Sequence, residues 1–81
     1  MITGGQIRAA RAFLNWSGAD LAEKVNLSRN TIAKIEQNDA IPSMRLQTMI
    51  DLKRAFEEAG VEFIGTPEMG AGVRFKLTGH Q

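Results

Sequence analysis

The sequence predicts a mainly α domain of four helices that is followed by a C-terminal β-hairpin. Apolar residues recur at intervals of three and four through most of the first 59 residues, which is the spacing of a buried helix face. Residues that favour helix N-termini stand before these segments. After residue 60, apolar and polar residues alternate instead, which indicates strands.

The composition is that of a small globular protein from a reducing compartment. The chain has 81 residues, of which 43% are hydrophobic and 23% charged, and this suits a single domain. It contains no cysteine, so it has neither a disulfide framework nor a thiolate metal site. No apolar run approaches the ~20 residues of a membrane span, and no signal peptide opens the sequence. We therefore expect a cytoplasmic protein that does not enter a membrane.

The first helix is predicted to start at Thr3. Thr3 and Gln6 have the spacing of a capping box, in which each side chain accepts a hydrogen bond from the other residue's backbone N–H. Ile7, Ala10 and Leu14 then form an apolar stripe along one side. These positions predict a helix that packs one face on the rest of the domain.

The second helix is predicted to begin after Ser17. Ser17 can cap the helix, and Asp20 stands three residues later, beside the positive end of the helix. Leu21 and Val25 are i, i+4 neighbours on one face. Trp16 stands just before the cap, so we expect it in the core rather than stacked on a base.

A tight turn and a third helix follow. Asn26 stands where the chain must reverse, and asparagine tolerates the left-handed conformation of such a corner. Ser28 can cap the third helix by accepting from a free backbone N–H of its first turn. Ile32 and Ile35 mark the buried face of this helix.

The outward face of the third helix is suited to DNA. It combines polar donors with one small residue and carries no acid. Its members are Arg29, Asn30, Ala33, Lys34 and Gln37. Arginine, lysine and asparagine donate hydrogen bonds to base edges, and an α-helix fits in the major groove. This face therefore indicates a nucleic-acid partner.

Residues 6–59 resemble the helix-turn-helix domain of the phage-repressor and Cro-like family, the xenobiotic-response-element type of regulator. The resemblance rests on the order of the helices, the apolar positions above and the segment SRNTIAKIEQ, which a proline-containing loop follows. It implies a lambda-repressor-like fold in which the third helix is the recognition helix. It also implies an ion pair between Arg11 and Glu36 that joins the first helix to the third. Asn26 replaces the glycine that is usual in the family, and Gly18 replaces a phosphate-contacting glutamine.

We expect a sequence-specific DNA-binding transcriptional regulator, namely a homodimeric repressor that reads a palindromic operator in double-stranded DNA. Arg29 is predicted to donate to guanine, Asn30 to adenine or a phosphate, and Lys34 to guanine or a phosphate. The complete set of predicted DNA contacts is Ser28, Arg29, Asn30, Thr31, Ala33, Lys34, Gln37, Asn38 and Arg45.

The fourth helix is predicted over residues 44–59. Pro42 disfavours helix for the residue before it and leads to Ser43, which we expect to cap this helix. Gly60 is the expected C-terminal end. The predicted buried face comprises Leu46, Met49, Ile50, Leu52, Phe56 and Ala59.

The hairpin is predicted from residues 61–65 and 72–77, which read as strands, and from residues 66–71, whose proline and glycine indicate a turn. Two antiparallel strands are marginal alone, and their unpaired edges can pair with another chain. We therefore expect the hairpin to build the dimer. The predicted dimer contacts are Val61, Phe63, Val73, Phe75 and Leu77.

The charge is distributed unevenly along the chain. Residues 1–56 carry eight Lys/Arg against five Asp/Glu, or +3, whereas residues 57–81 carry two against four, or −2. The net positive charge therefore lies in the part of the chain that is predicted to bind DNA. We divide the chain into a DNA-binding domain (1–60), a dimerisation hairpin (61–77) and a flexible tail (78–81).

Other functions remain open at this point. The sequence predicts no enzyme, metal site or cofactor, because it has a single histidine, no cysteine and no glycine-rich phosphate loop. One alternative, which the family resemblance implies, is the antitoxin of a toxin–antitoxin pair that also represses its own operon, with the toxin as protein partner on the acidic hairpin. Another is an adaptor that binds protein instead of DNA, or a plain helical bundle with a polar face.

Overall fold

The computed structural model describes residues 2–37 and 40–76 and confirms the predicted fold class. Four helices and a two-stranded antiparallel hairpin follow one another along the described chain. Their bounds are Gly4–Phe13 (α1), Gly18–Val25 (α2), Arg29–Glu36 (α3), Leu46–Glu58 (α4), Val61–Ile64 (β1) and Gly72–Phe75 (β2). None of these helices combines the length and apolar character that crossing a membrane requires.

The start of α1 has the predicted capping box. The Thr3 hydroxyl accepts from the backbone N–H of Gln6 at 3.0 Å, and the Gln6 side-chain oxygen Oε1 accepts from the backbone N–H of Thr3 at 2.9 Å. Ile7 and Ala10 are fully buried, and Leu14 packs on the core from its edge. The helix is thus fixed at its N-terminus by local bonds and along one side by burial.

The two short helices that follow also begin as predicted, and the first of them ends at the predicted corner. Ser17 and Asp20 form a second capping box at the start of α2. Asn26 ends α2 with φ 59°, the left-handed conformation that the corner requires. Ser28 caps α3 by accepting from the backbone N–H of Thr31 at 3.1 Å. The angle between α2 and α3 is therefore set by residues that are close in sequence.

One apolar core lies between the helices and the hairpin. Its buried members are Ile2, Ile7, Ala10, Leu21, Ala22, Val25, Ile32, Ile35, Met49, Leu52, Phe56 and Val61. Trp16 packs against this core and stacks on Phe56, with ring centroids 5.4 Å apart. The predicted core position of Trp16 is confirmed.

The start of α4 differs from the prediction. The helix begins at Leu46, and its N-cap residue is Arg45, whose side chain makes no capping hydrogen bond. Ser43 therefore does not cap α4, and residues 43–45 stay outside the helix. The extended chain there lets Met44 pack against the core, which decides where the helix can begin.

The predicted buried face of α4 is too wide. Met49, Leu52 and Phe56 are buried, but Leu46 is 71% exposed and Ile50 38% exposed. Successive helical residues are rotated by about 100°, so Ile50 lies on the flank of a face centred on Met49 and Phe56. Leu46 lies in the first turn of the helix, where no other element covers it.

The hairpin strands are shorter than predicted but pair antiparallel, with Val61 opposite Phe75 and Ile64 opposite Gly72. The first strand stops before Gly65, which has φ +78°, and a Cβ there would collide with the carbonyl oxygen of Gly70. The second strand ends at Phe75. Residue 77 and the predicted tail, 78–81, lie outside the described residues.

The hairpin packs on the helices of its own chain. Phe63 contacts Phe56 of α4 edge to face at 5.7 Å, and Phe75 contacts Phe13 of α1 at 4.8 Å. On the opposite face, Arg74 donates to Glu62 across the two strands at 2.7 Å. One face of the hairpin thus completes the core and the other meets solvent.

Candidate nucleic-acid interface

Helix α3, the predicted recognition helix, has a buried inner face and a polar outer face. Ile32, Ile35 and Glu36 are 2%, 5% and 7% exposed. All the residues predicted to face outward are exposed, namely Arg29, Asn30, Ala33, Lys34 and Gln37. None of these side chains makes a hydrogen bond or ion pair with another described residue. Their donors are therefore available to a partner.

The N-terminal end of α3 is fixed by its own sequence. The Ser28 hydroxyl accepts from the Thr31 N–H and lies 2.8 Å from the Thr31 hydroxyl. Ser28 is exposed and Thr31 half-buried, so both hydroxyls stand at the margin of the outer face. These two predicted contact residues also hold the first turn of the helix.

A groove of about 530 Å³ separates α3 from the start of α4. Thr31 and Lys34 line it from α3, and Ser43, Arg45 and Thr48 line it from the other side. The fold thus brings Arg45, which is distant in sequence, to the same surface as the recognition helix. Two cations and three hydroxyls along one groove form a surface that favours an anionic partner.

The C-terminal end of α3 is held by α1. Arg11 donates from Nε and Nη2 to the two carboxylate oxygens of Glu36, each at 2.9 Å. The side chains of Arg11 and Glu36 are 26% and 8% exposed. The hydrogen bonds to Glu36, aided by its charge, raise the pKa of the Arg11 guanidinium above its ordinary value. Arg11 also donates to the Trp16 carbonyl at 3.0 Å, which fixes its orientation.

Arg8 is a contact that the sequence argument missed. Its Nη1 donates to the backbone carbonyl of Glu36, one of the carbonyls left without a helical partner at the end of α3. Arg8 and Arg11 are i, i+3 neighbours, so they lie on the same side of α1. The i, i+3 spacing from Arg11 was the feature of the sequence that could have indicated a contact of Arg8 with the end of α3. Glu36 is therefore held through its backbone by one arginine and through its carboxylate by the other.

Gly18 leaves open the position where the family has its phosphate-contacting glutamine. A Cβ at this residue would meet no atom within 4 Å. Gly18 begins α2, so a longer side chain there would start from an unobstructed helix N-terminus. Asn38, another predicted DNA contact, lies outside the described residues.

The predicted dimer residues are partly used within the chain. Val61 is 2% exposed, and Phe63 and Val73 are half-buried against the core of their own chain. Phe75 is 45% exposed. Leu77 lies outside the described residues. Among the described members of this set, Phe75 is therefore the most accessible to another molecule.

No group of acidic or histidine side chains in residues 2–37 and 40–76 is arranged to hold a metal ion. The candidate site consists of hydrogen-bond donors and cations on a helix whose two ends are fixed. It can bind an anionic polymer and read its edges.

Comparison with known proteins identifies the same region. A helix-turn-helix family model matches residues 7–46, which run from α1 through α3 to the first residue of α4. A search of curated proteins found no match. The matched segment contains the capped helices α2 and α3, the left-handed corner between them and the Arg11–Glu36 pair described above. The chain belongs to the Cro/C1-type helix-turn-helix family of DNA-binding regulators, the group that includes the phage repressors.

Proposed function

We propose that this protein is a homodimeric transcriptional repressor that reads a palindromic operator through α3. The observation that carries the proposal is the outer face of α3. Its donors are exposed and unengaged among the described residues, while the helix itself is fixed at both ends. A rigid helix with free donors can enter the major groove without first rearranging. Repression follows if the occupied operator overlaps a promoter.

The outward side chains of Arg29, Asn30, Ala33 and Lys34 have separate roles in this proposal. Arg29 donates to guanine O6 and N7, Asn30 to adenine or a phosphate, and Lys34 to guanine or a phosphate. Ala33 lets the helix approach the bases closely. Arg45, across the groove, contacts a phosphate, which positions the helix without reading sequence.

The homodimer follows from the size of the site. One recognition helix reads only a few base pairs, so two must act together to select a site in a genome. They reach successive major grooves on one side of DNA when they are ~34 Å apart. The described chain measures 34 × 31 × 21 Å, so two copies in contact have equivalent points at about this separation.

We infer that residues 61–77 supply the contact between copies, through the free edge of β2. Lys76 N donates to the Gly60 carbonyl, which makes these residues a hydrogen-bonded pair of the ladder. Because such pairs alternate in an antiparallel ladder, the backbone groups of Val73 and Phe75 point away from β1. A second β2 can pair there around a two-fold axis, with the exposed rings of Phe13 and Phe75 beside it.

DNA recognition is tested by comparing Arg29→Ala with Arg45→Ala in a binding titration. Arg29→Ala should cost about 1–3 kcal/mol on the selected site and relax the preference at one base pair. Arg45→Ala should weaken all sequences alike. Binding of the parent protein should weaken steeply with salt, because phosphate contacts release counterions. An affinity that is insensitive to salt would favour a protein-binding adaptor instead.

The vacant position at Gly18 allows a gain-of-function test. Gly18→Gln should raise the affinity for DNA of any sequence, because it restores a phosphate contact at the start of α2. Gly18→Ala is the control, since it supplies the same backbone restriction without the amide. Equal affinities for the two variants would mean that α2 does not approach the backbone of DNA in this way.

The dimer contact is tested with Phe75→Lys, which places a charge on the β2 edge. Met69→Lys is the matched control, because Met69 is 84% exposed but lies in the turn, away from that edge. Sedimentation velocity should show a dimer for the parent protein and for Met69→Lys, and a monomer for Phe75→Lys. A persistent dimer in Phe75→Lys would move the interface elsewhere, for example to the exposed Leu46 and Ile50 of α4.

A selection of bound genomic DNA identifies the operator. The proposal predicts that the enriched sequences are inverted repeats whose half-sites are one helical turn apart. Enrichment of single, unrepeated half-sites would contradict the homodimer.

A further inference from the structure

We propose that Gln6 is a positioning residue that fixes the hairpin on α1 and thereby sets the half-site spacing that the dimer accepts. This inference rests on the proposed homodimer and names the residue that gives it its geometry. Gln6 does not contact DNA in this proposal. It acts through the orientation of the hairpin.

The Gln6 carboxamide donates two hydrogen bonds to the hairpin. Its Nε2 donates to the carbonyl of Gly72 at 2.8 Å and to that of Ile64 at 3.2 Å. These two residues are the last opposed pair of the hairpin ladder. Gln6 is 4% exposed, so both amide hydrogens are used in a nearly dry environment. Burying an amide away from water costs free energy unless its donors and acceptor make hydrogen bonds within the protein, so these partners must lie at defined positions.

The other end of the same carboxamide is also fixed. Its Oε1 accepts from the Thr3 N–H in the capping box that begins α1. If the hairpin were displaced, the amide group could not follow it without breaking the capping hydrogen bond at the start of α1. Gln6 therefore ties the hairpin to the axis of α1 rather than to a mobile side chain.

The same helix holds the recognition helix. Two to five residues after Gln6, Arg8 and Arg11 bond to the backbone and the carboxylate of Glu36 at the end of α3. At 1.5 Å per residue, these anchors span only ~8 Å of one helix. The hairpin, which is the proposed dimer contact, and α3 are therefore both attached to one short segment of α1.

A small change at the hairpin would be magnified at the DNA. In the proposed dimer each recognition helix lies ~17 Å from the two-fold axis, half of the ~34 Å between successive grooves. A rotation of ~10° about the hairpin moves a point at that radius by ~3 Å, which is close to the ~3.4 Å rise of one base pair. A hairpin that loses its bonds to Gln6 would therefore accept operators of several lengths.

Two substitutions separate this role from the capping role. Gln6→Glu keeps an oxygen for the Thr3 N–H, and glutamate is a usual partner in this capping box, but its carboxylate cannot donate to the two carbonyls. Gln6→Met removes both sets of bonds and keeps a helix-favouring side chain of similar length. The pairing of the two strands, from Val61 opposite Phe75 to Ile64 opposite Gly72, does not involve Gln6, so neither substitution removes a strand-to-strand contact of the hairpin. Gln47→Met, on the exposed side of α4, is the control for the same chemical change.

The experiment measures binding of each full-length variant to palindromic duplexes whose half-site separation changes one base pair at a time. The parent protein and Gln47→Met should prefer one separation by about tenfold over its neighbours, because DNA must be twisted to correct a mismatch in spacing. Gln6→Glu should reduce that preference to less than about threefold, while its affinity for an isolated half-site stays within about twofold of the parent. Should Gln6→Glu fail to melt cooperatively, Gln6→Met carries the same test.

The possible failures are distinguishable. If the parent protein binds no palindrome, or binds palindromes of all separations equally, the proposed homodimer on a palindromic operator is refuted. The inference about Gln6 is then refuted with it. If the parent shows a sharp preference and the Gln6 variants keep it, the proposed function stands and the role of Gln6 is refuted. A loss of affinity that is equal at every separation and at the half-site would also refute it, because a merely structural role predicts that result.

Discussion

Two arginine–glutamate pairs of this molecule have nearly the same bond lengths but lie in different surroundings. Arg11 and Glu36 join α1 to α3 at 2.9 Å, with side chains 26% and 8% exposed. Arg74 and Glu62 join β2 to β1 at 2.7 Å, with side chains 61% and 37% exposed. The distances alone would make the hairpin pair the stronger one.

Burial reverses that order. Loss of one partner in the pair between α1 and α3 leaves the other charge poorly hydrated, whereas water replaces either partner of the hairpin pair. The inner pair is also supported by bonds from Arg8 and to Trp16, so it belongs to a network. The effect of an ion pair on stability therefore depends on where the pair lies, and four predictions test this.

The largest effect is expected for Glu36→Ala, which should lower the free energy of unfolding by about 2–3 kcal/mol. This value lies between those of buried and surface pairs, because Arg11 keeps some contact with water. Denaturant melts of the free protein measure it. Glu57→Ala is the control, since Glu57 is exposed and lies 3.6 Å from Lys53. Equal midpoints for the two variants would remove the distinction between inner and outer pairs.

A smaller effect is expected for Ser28→Ala, which removes the local cap at the other end of α3. Loss of an N-cap hydrogen bond costs about 1 kcal/mol, so the variant should melt between the parent and Glu36→Ala. Ser43→Ala provides the matched control, because Ser43 caps no helix. If Ser28→Ala were more harmful than Glu36→Ala, the recognition helix would depend more on its own sequence than on α1.

Arg74→Ala should change the melting temperature less than either variant above. Its guanidinium is exposed, and the pair is weakened by side-chain entropy and by salt. The small difference from the parent should disappear in 1 M salt, where the screening length is ~3 Å, while the effect of Glu36→Ala should persist. A difference for Arg74→Ala that survives high salt would show that the hairpin pair stabilises the fold by more than charge.

The smallest effect is expected in the pH dependence of stability. The hydrogen bond from Arg74, and then its charge, lower the pKa of Glu62 below its ordinary value. A lowered carboxyl pKa adds stability that is present above about pH 4.3 and is lost as the pH falls through the folded-state pKa. Melting temperatures between pH 5 and 3 should therefore fall slightly less for Arg74→Ala than for the parent. Identical slopes would mean that the pair contributes nothing measurable.

The parts of the fold that the sequence predicted are those built from neighbouring residues. Thr3, Ser17 and Ser28 each accept from a backbone N–H three residues ahead, so their spacing alone reveals them. Asn26 is likewise a local conformational choice. The prediction failed at Ser43, where the packing of Met44 on the core, and not the local cap, decides where the helix begins.

The parts that could not be predicted join distant segments. Gln6 reaches carbonyls 58 and 66 residues away, and Arg8 reaches one 28 residues away. No periodicity links such positions, because their meeting depends on how the helices pack. The Arg11–Glu36 pair was anticipated only through the family resemblance. Sequence reasoning thus found the outward face of α3 but not the bonds through which α1 holds it.

Trp16 gives this small protein an optical signal of its own. It is the only tryptophan, and the chain has no tyrosine, so near-ultraviolet emission comes from one place. Its ring stacks on Phe56, which meets Phe63 of the hairpin, and the Lys24 ammonium lies 4.7 Å from the ring centroid. Undocking of the hairpin would expose that stack to solvent and shift its fluorescence. The motion of the strands can therefore be followed in real time without attaching a dye.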